Sequence, residues 1–487
     1  MTVRRGLRPR GRLSALTALV ALVVLAGAAL RFLATSPLWL DEAQSVAISA
    51  LPPARLVDAL RADAAPPLYY LLLHGWMRLF GDGDLAVRGL SGLFAVAALP
   101  LFHRLARPYG AGTVTLALAA ANPWLVRYAT EARPYALEVL LVLLGVLALE
   151  RAYRRPGPAR AAALALVSAL LLLTHYWSLF LYAATGAGLL VALRRPGRAA
   201  PAWCLVGLAA GAVPFLAWLP VFWYQSRHTG TPWAGRSGIQ VLPNLIADWF
   251  ASGVAPARVL LLVVWPLIVW AAVSGGRRTR LLGAAGAATL LLAYVAAWLT
   301  GSALAGRYTA VVVPFALLLL GTGAALLPRV WTVVLVGGLV ATGLATDAVL
   351  VTKQRTEAGA VAAVLDRRLT DADTLVFCPD QLGPDVVRRL HTHPRLVSFP
   401  HQDDPGRLDW TDYARRIEAE DPARLADRLA AERGSGAVWL IPRYGYRPFG
   451  DRCERLAAGL RAALGPERQI PVRGPEGWEM LWHWPAD

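Results

Sequence analysis

The sequence predicts a polytopic α-helical membrane protein with a small α/β domain at its C-terminal end. Of the 487 residues, 56% are hydrophobic and only 17% are charged, and the mean hydropathy is +0.46. A soluble chain of this length exposes far more charge. Apolar runs of about 20 residues, the length that spans a bilayer, recur up to Val351, and charged positions become frequent after it. We therefore divide the chain into a transmembrane domain, residues 1–351, and a second domain, residues 352–487.

The formal net charge of +17 comes almost entirely from arginine. A basic surface can indicate a nucleic-acid-binding protein. Here, however, the arginines cluster at the ends of apolar runs, where the orientation of the chain in the membrane explains them. We therefore exclude nucleic acid as a partner and expect membrane lipids instead.

About eleven apolar runs have the length and composition of transmembrane helices. They cover residues 13–35, 87–106, 111–127, 134–150, 160–174, 177–193, 202–222, 256–275, 281–300, 309–327 and 331–351. The basic segment 4–12 resembles the start of a signal peptide. The apolar run behind it is too long and lacks a clean cleavage site, so we predict an uncleaved first helix.

Arginine clusters predict the orientation of the chain. They follow the second, fourth, sixth, eighth and tenth spans, as Arg104 with Arg107 and Arg194 with Arg195 illustrate. Positive charge marks the cytoplasmic side, so we place the N-terminus in the cytoplasm. The odd number of spans then puts residues 352–487 outside the plasma membrane.

The first outer loop, residues 36–86, predicts short helices rather than featureless chain. Residues 54–62 can form an amphipathic helix, and Pro66-Pro67-Leu68 starts a second that runs to Phe80, since proline suits a helix start. This second helix is too short to span and carries Trp and Tyr, so we expect it to lie flat on the outer leaflet. A further interfacial helix is expected within residues 224–253, which include Trp233.

The C-terminal domain alternates strand-length and helix-length segments. The predicted strands are 374–378, 396–399, 437–441 and 469–472, and the predicted helices are 360–369, 385–390, 412–432 and 452–464. Such alternation indicates an α/β domain with a mostly parallel sheet. The three cysteines have no metal-site spacing, and a disulfide between Cys378 and Cys453 is one alternative for an exported domain.

Acidic and basic side chains gather at the predicted outer ends of the spans. They are Asp41 and Glu42 after span one, Arg127, Glu131 and Arg133 after span three, His175 and Tyr176 after span five, Arg227 and His228 after span seven, and Arg307 and Tyr308 after span nine. A carboxylate there can accept a proton from an attacking hydroxyl, and arginine matches the geometry of phosphate. The pattern fits a surface site for a lipid that carries a phosphate and a sugar.

Each of these residues also has a purely structural interpretation as a helix cap, an ion pair or a membrane anchor. The alternatives are a cap for Asp41 and Glu42, an ion pair with Arg127 or Arg133 for Glu131, a snorkelling anchor for Arg307, an ordinary interfacial histidine for His175, a helix start for Arg133, and an ion pair across the first loop for Asp63 and Arg88.

These motifs resemble the GT-C superfamily of integral membrane glycosyltransferases. The nearest resemblance is to bacterial family-39-like and Rgt-type lipopolysaccharide-core transferases, and the chain is also similar to protein O-mannosyltransferases and lipid-A aminoarabinose transferases. The motifs are residues 38–42, 65–74 with 79–81, 86–91, 129–137, 174–176, and 306–308 ahead of Pro314. The resemblance covers residues 13–350, and the second domain resembles the outer domain appended to many bacterial members.

The resemblance implies a GT-C fold and an inverting, mannosyltransferase-like hexosyl- or pentosyltransferase. Its donor would be a polyprenyl-phosphate-linked sugar, and its acceptor a cell-envelope glycan, lipid or protein outside the membrane. Asp41 would be the catalytic base, with Glu42 beside it, and Glu131 would be a second acid. Arg307 and Tyr308 would face the carrier phosphate.

Three further residues are expected to bind substrate, namely Arg133, His175 and Tyr69. A divalent cation, Mg²⁺ or Mn²⁺, is compatible with the carboxylates of Asp41 and Glu131, which are hard ligands, although the sequence shows no complete ligand set. Many members of the superfamily have a histidine before the proline pair where this chain has alanine at position 65.

Two alternative functions stay open at the level of sequence. A transporter or flippase of lipid-linked sugars would place charged groups near the bilayer midplane and often contains inverted repeats, whereas the acids here lie in outer loops and no repeat is evident. An inactive relative that binds lipid-linked glycans is opposed by the presence of Asp41, Glu42 and Glu131.

Overall fold

The structure is a computed structural model that describes residues 15–231, 234, 238–251, 261–401, 404–474 and 477–486. Apolar helices form one domain up to residue 352, and the chain that follows forms an α/β domain. The basic segment 4–12, Trp233 and the start of the predicted eighth span lie outside the described residues.

The helices of the first domain are numbered here in chain order. They are α1 Ala15–Leu30, α2 Leu40–Ser49, α3 Pro53–Asp63, α4 Leu68–Phe80, α5 Asp84–Ala106, α6 Gly112–Ala120, α7 Pro123–Ala129, α8 Tyr135–Arg154, α9 Pro158–Leu172, α10 Ser178–Ala192, α11 Ala199–His228, α12 Val241–Ala251, α13 Leu261–Ser274, α14 Arg277–Thr300, α15 Val313–Ala325 and α16 Arg329–Thr352.

The apolar helices confirm a multi-pass membrane protein. By length and composition, four helical stretches in the described part of the chain are long and apolar enough to cross a membrane. They are Asp84–Tyr109, Ala199–His228, Arg277–Thr300 and Arg329–Thr352. Five further apolar helices are shorter, namely α1, α9, α10, α13 and α15.

The predicted third span, residues 111–127, is two helices rather than one. α6 ends at Ala120, and α7 begins at Pro123 with Asn122 as its cap, whose side chain accepts from the Leu125 amide at 2.9 Å. Asparagine before proline is a strong helix start, so the local signal outweighs the continuous hydropathy.

Close backbone contact holds α1 against α6. A Cβ atom on Gly27 would lie 2.1 Å from the Ala120 carbonyl oxygen, so only glycine fits there. Arg31, which is fully buried, donates to the carbonyl oxygens of Ala119 and Ala120, both at 2.8 Å. The guanidinium group thus satisfies carbonyl groups that the end of α6 leaves free.

The first outer loop contains three helices, of which the sequence predicted α3 and α4. α4 buries Tyr69, Tyr70 and Leu73 and exposes Leu72 and Leu79 on its other side. That exposed apolar face suits a helix lying on a membrane surface.

The expected ion pair between Asp63 and Arg88 is wrong. Arg88 pairs with Glu42, and Asp63 accepts from the Tyr70 hydroxyl at 2.7 Å and from Gln44 at 3.2 Å. Glu42, and not Asp63, is therefore the ion-pair partner of Arg88.

The second domain is a five-stranded sheet with helices on both faces. Its strands are β1 Thr374–Cys378, β2 Arg395–Ser398, β3 Val438–Pro442, β4 Arg468–Gly474 and β5 Gly477–Trp484, in the order β2-β1-β3-β5-β4. Its helices are α17 Ala358–Leu365, α18 Gly383–Val387, α19 Tyr413–Ala419, α20 Pro422–Glu432 and α21 Arg452–Leu464. Cys378 and Cys453 form a disulfide that joins the end of β1 to α21.

Two details of this domain differ from the prediction. The sheet is mixed, because β2, β1 and β3 are parallel while β5 pairs antiparallel with both β3 and β4. The helix predicted over 412–432 is two helices, since Pro422 starts α20 and the Asp421 side chain caps it by accepting from the Ala423 amide.

The two domains meet at α2. The Gln44 side chain makes a pair of hydrogen bonds with the Leu408 backbone, at 2.9 and 2.8 Å. The Trp410 amide donates to the Ala62 carbonyl oxygen at 3.0 Å, and α18 packs against α2. The second domain therefore covers the helix that carries Asp41.

Candidate active site

Asp41 lies in the first turn of α2, between two arginines. Arg307 Nη2 is 3.6 Å from Asp41 Oδ2, and Arg133 Nη2 is 4.0 Å from the same oxygen. The Asp41 side chain is 17% exposed, so one face of its carboxylate is open. A carboxylate in the first turn is also favoured by the helix dipole. The structure thus brings together three residues that are far apart in the sequence.

Arg133 is held in place by several neighbours. Its Nη1 donates to the Asp41 backbone oxygen at 3.3 Å, to Ser45 Oγ at 3.0 Å and to the Tyr70 hydroxyl at 3.4 Å. Burial raises the pKa of the nearby Asp63 carboxyl, while the Arg133 charge opposes that rise. Arg133 therefore fixes the start of α2 against α4 and presents its remaining donor edge toward Asp41.

A tight turn before α15 presents Arg307 and Tyr308. A Cβ atom on Gly306 would lie 2.2 Å from Asp248 Oδ2 of α12, so a larger residue here would displace the Asp248 side chain. The Arg307 guanidinium lies over the rings of Trp39 and Tyr308, at 5.7 and 5.4 Å. Stacking on two rings orients a planar cation, and the group can then face a phosphate.

His175 extends the site behind Tyr308. The two ring centroids are 5.6 Å apart, and His175 Nδ1 is 3.6 Å from Glu138 Oε2. The Trp177 amide donates to the same Nδ1 at 3.3 Å. Burial lowers the pKa of His175 to about 3, and the positive charges of Arg133 and Arg307 lower it further. The imidazole is therefore neutral and supports Tyr308 by packing rather than by charge.

Glu42 does not share the environment of Asp41, although the sequence grouped the two as catalytic. Glu42 is fully buried and accepts two hydrogen bonds from Arg88, at 2.7 and 2.6 Å. It also accepts from the Ala132 amide at 2.9 Å and from the Trp39 amide at 3.4 Å. Since both oxygens are occupied and inaccessible, we correct its assignment to a positioning residue that fixes α2.

Glu131 is paired with different arginines from those beside Asp41. Its carboxylate is 2.8 Å from Arg127 Nη2 and 3.9 Å from Arg355 Nη1, and it is buried. The ion pair with Arg127 is the structural alternative that the sequence allowed. Arg355 follows α16, so Glu131 joins the helical domain to the linker before the second domain.

Tyr69 does not line the open face of the site. Its side chain is fully buried, and its hydroxyl lies 3.0 Å from Ser91 Oγ. A substrate could reach it only after α4 moved, so the expectation that Tyr69 binds substrate is not supported by its placement. Tyr70, the next residue, contacts Arg133 instead.

Tyr446 is a candidate for the site that sequence reasoning did not single out. It follows β3, at the carboxyl edge of the parallel strands, and its hydroxyl donates to Gln381 Oε1 at 2.6 Å. Burial raises the pKa of the Tyr446 phenol to about 12, and the charges of Asp41 and Arg307 both act on it. Ligands commonly bind at the carboxyl ends of parallel strands, and that rule was the signal that could have drawn attention to this loop.

Further polar residues support Tyr446 from within the second domain. Gln381 donates to the Tyr413 hydroxyl at 3.2 Å, and Tyr413 donates to Asp380. Asp380 is also 2.7 Å from His401 Nδ1. Asp380 and Gln381 follow β1 and His401 follows β2, so residues behind two strand ends hold the hydroxyl of Tyr413 and the side chain that contacts Tyr446.

A metal site built from Asp41 and Glu131 does not fit the residues present. Among the described residues, no group of three His, Cys, Asp or Glu side chains could hold a metal ion. Asp41 faces the charges of Arg133 and Arg307, and Glu131 is paired with Arg127. Cationic neighbours at these distances disfavour a divalent ion.

No family model and no curated protein matches this chain. Solved structures do match over nearly its whole length. ArnT from Cupriavidus metallidurans in the apo state has a TM-score of 0.65 at 15% identity, over 96% of this chain and 98% of that one. The same enzyme bound to undecaprenyl phosphate has a TM-score of 0.58 at 14% identity, over 96% and 97%. An oligosaccharyltransferase from Archaeoglobus fulgidus has a TM-score of 0.53 at 12% identity, over 95% and 72%.

The fold is the GT-C fold. The likeness to ArnT extends through both domains, because nearly all of each chain is covered. The fold that the sequence motifs implied is therefore confirmed, and the site described above lies where its two domains meet.

Proposed function

We propose that this protein is a membrane glycosyltransferase that moves a sugar from a polyprenyl-phosphate-linked donor to an acceptor outside the cytoplasmic membrane, with inversion. The observation that carries the proposal is a part-exposed carboxylate, Asp41, set between Arg133 and Arg307. The two arginines can bind a phosphate, and the Asp41 carboxylate can accept a proton at the same place. The shared fold with an ArnT that binds undecaprenyl phosphate supports a carrier of that class.

The reaction follows from these groups. Asp41 accepts the proton of the acceptor hydroxyl, and the hydroxyl oxygen forms a bond to the anomeric carbon. The bond between that carbon and the phosphate oxygen breaks, and its electron pair leaves with the phosphate. Attack opposite to the leaving group inverts the configuration. Arg307 stabilises the charge that develops on the phosphate.

Tyr446 and its neighbours indicate where the acceptor enters. The carrier lipid must approach Arg307 from the membrane, whereas the second domain covers Asp41 from the other side. We therefore place the acceptor between Asp41 and Tyr446. A tyrosine ring can pack on a sugar or an apolar acceptor, so envelope glycan, lipid and protein acceptors are all compatible, as are hexose and pentose donors, including mannose.

Arg307→Ala should weaken donor binding. Loss of a charge-assisted hydrogen bond to phosphate is worth about 2 kcal/mol, so we expect the affinity for undecaprenyl phosphate and the turnover both to fall accordingly. Binding can be measured on the purified protein by ligand-dependent thermal stabilisation.

Arg461→Ala is the matched control for this prediction. Arg461 also lies on an aromatic ring, Trp482, at 5.4 Å, but on α21 of the second domain. The Arg461→Ala change should leave the affinity for undecaprenyl phosphate unchanged. If folded Arg307→Ala binds undecaprenyl phosphate like the parent protein, Arg307 is a membrane anchor and not a phosphate ligand.

Removal of divalent cations should not abolish activity. Arg133 and Arg307 supply positive charge where other enzymes use a metal, so we expect turnover to persist after treatment with EDTA. The measurement is the rate of sugar transfer before and after chelation, with Mg²⁺ or Mn²⁺ added back. Loss on chelation with recovery on add-back would show that a metal takes part, as the sequence allowed.

We further propose that the second domain lies outside the cytoplasm. Disulfides persist in oxidising compartments, and the bond between Cys378 and Cys453 supports the orientation that the arginine clusters predicted. A reporter fused after Val351 should be active only outside the cytoplasm. Cytoplasmic activity at that position would reverse the topology and the placement of the site.

Mass spectrometry of a deletion strain tests the proposed function. We expect the lipid-linked sugar to accumulate and the same sugar to be missing from one class of envelope glycan, lipid or protein. An unchanged envelope together with an unchanged pool of lipid-linked sugars would refute a transferase role.

A further inference from the structure

A crevice between α8 and α9 lies at the end of these helices away from Asp41. It has a volume of about 330 Å³. Its walls are Leu144, Leu147, Ala148, Ala159, Ala163 and Val167, and Arg151 and Arg160 line the same opening. The apolar wall comes from both helices. The arginines come from the last turn of α8 and the first turn of α9, so both lie at the polar end of the crevice.

The two guanidinium groups have no acidic partner among the described residues. The nearby carboxylate of Glu150 is paired with Arg278 of α14, and the other charges of this segment, Arg154 and Arg155, are also positive. Two like charges at one opening repel each other, and an anion between them would relieve that repulsion.

The start of α9 adds to the attraction for an anion. The helix begins at Pro158, and Ala159 and Arg160 of its first turn line the crevice. Free amide groups and the helix dipole at an N-terminus favour negative charge. Positive charge thus comes from two side chains and one helix end, directly above an apolar groove.

We propose that this crevice binds one anionic phospholipid of the surrounding membrane, with the phosphate between Arg151 and Arg160 and an acyl chain along Leu144, Leu147 and Val167. The combination of a basic opening and an apolar groove between transmembrane helices suits an acidic head group. An inorganic phosphate would leave the groove empty, and a zwitterionic lipid would bring a cation to the two arginines. The site is independent of the sugar-transfer chemistry.

Native mass spectrometry of the detergent-purified protein tests the proposal. The probes are phosphatidylglycerol and phosphatidylcholine with the same acyl chains. The parent protein should retain one phosphatidylglycerol in preference to phosphatidylcholine. Arg151→Ala with Arg160→Ala should weaken phosphatidylglycerol binding on the order of thirtyfold, the effect expected for two basic groups at a lipid head group.

Two further variants make the test specific. Arg154→Ala with Arg155→Ala removes the same charge from the adjacent segment, which does not line the crevice, and should leave binding unchanged. Ala163→Trp fills the groove without changing any charge and should also weaken binding. Size-exclusion and thermal-unfolding profiles establish that each variant is folded.

Three outcomes would overturn the proposal. The first is equal retention of phosphatidylglycerol and phosphatidylcholine. The second is an equal loss of phosphatidylglycerol binding in the Arg154 and Arg155 variant, which would indicate diffuse attraction. The third is displacement of the lipid by inorganic phosphate alone, which would indicate a free-anion site.

Discussion

Asp41→Asn should reduce turnover by about 10²–10⁴-fold, the usual contribution of a general base, while donor binding persists. Asparagine keeps the size and the hydrogen-bonding capacity of the side chain but cannot take the proton of the acceptor hydroxyl. The position of Arg133 does not depend on the Asp41 charge alone, because its guanidinium also donates to Ser45 Oγ and to the Tyr70 hydroxyl. The measurement is the rate of sugar transfer together with the affinity for undecaprenyl phosphate.

Asp58→Asn is the control for this experiment. Asp58 is an exposed carboxylate on α3 of the same outer loop. Its replacement should therefore change neither the rate of sugar transfer nor the affinity for undecaprenyl phosphate. Near-normal turnover in folded Asp41→Asn would remove Asp41 from the chemistry. If Glu42→Gln then abolished turnover without unfolding, the base would be the neighbouring residue.

Arg88→Ala should be among the most destabilising single changes in the chain. It would leave the fully buried Glu42 carboxylate without the two hydrogen bonds that Arg88 donates. Removing one member of a buried ion pair costs about 3–5 kcal/mol. We expect a lower yield of folded protein and a lower unfolding temperature, measured in detergent by intrinsic fluorescence.

A double variant and a surface pair give the controls. Glu42→Gln combined with Arg88→Met removes both charges and should recover much of the loss. Arg395→Ala breaks an exposed ion pair with Glu432, whose side chain is 50% exposed, and should cost under about 1 kcal/mol. Equal stability of Arg88→Ala and the parent protein would mean that Glu42 is not held by Arg88 and is free for chemistry.

The site could be predicted from sequence where local signals place residues at the same surface. Asp41, Arg133 and Arg307 each lie at the predicted outer end of an apolar run, and the ends of spans on one side of a membrane lie at the same surface. The structure places Arg133 and Arg307 beside Asp41 for that reason. The strands β1 to β4 were also predicted, because short apolar runs between helices are a local pattern.

Other features depend on partners that are distant in sequence. Nothing near Glu42 distinguishes it from Asp41, because its role is set by Arg88, 46 residues away. An arginine in an apolar helix requires a partner, and that rule could have suggested Glu42. Tyr446 is a more extreme case, since only the folding of the second domain onto α2 brings it near Asp41.

The central claim is that Asp41 takes the acceptor proton during transfer of a sugar from a polyprenyl-phosphate carrier. The most direct test reconstitutes the purified protein in vesicles with the lipid-linked sugar that accumulates in the deletion strain and with envelope extract from that strain. We predict that the parent protein releases polyprenyl phosphate and attaches the sugar to an acceptor, whereas Asp41→Asn binds the donor and releases neither. Movement of the intact lipid-linked sugar across the bilayer without any release of polyprenyl phosphate would contradict the account and identify a flippase.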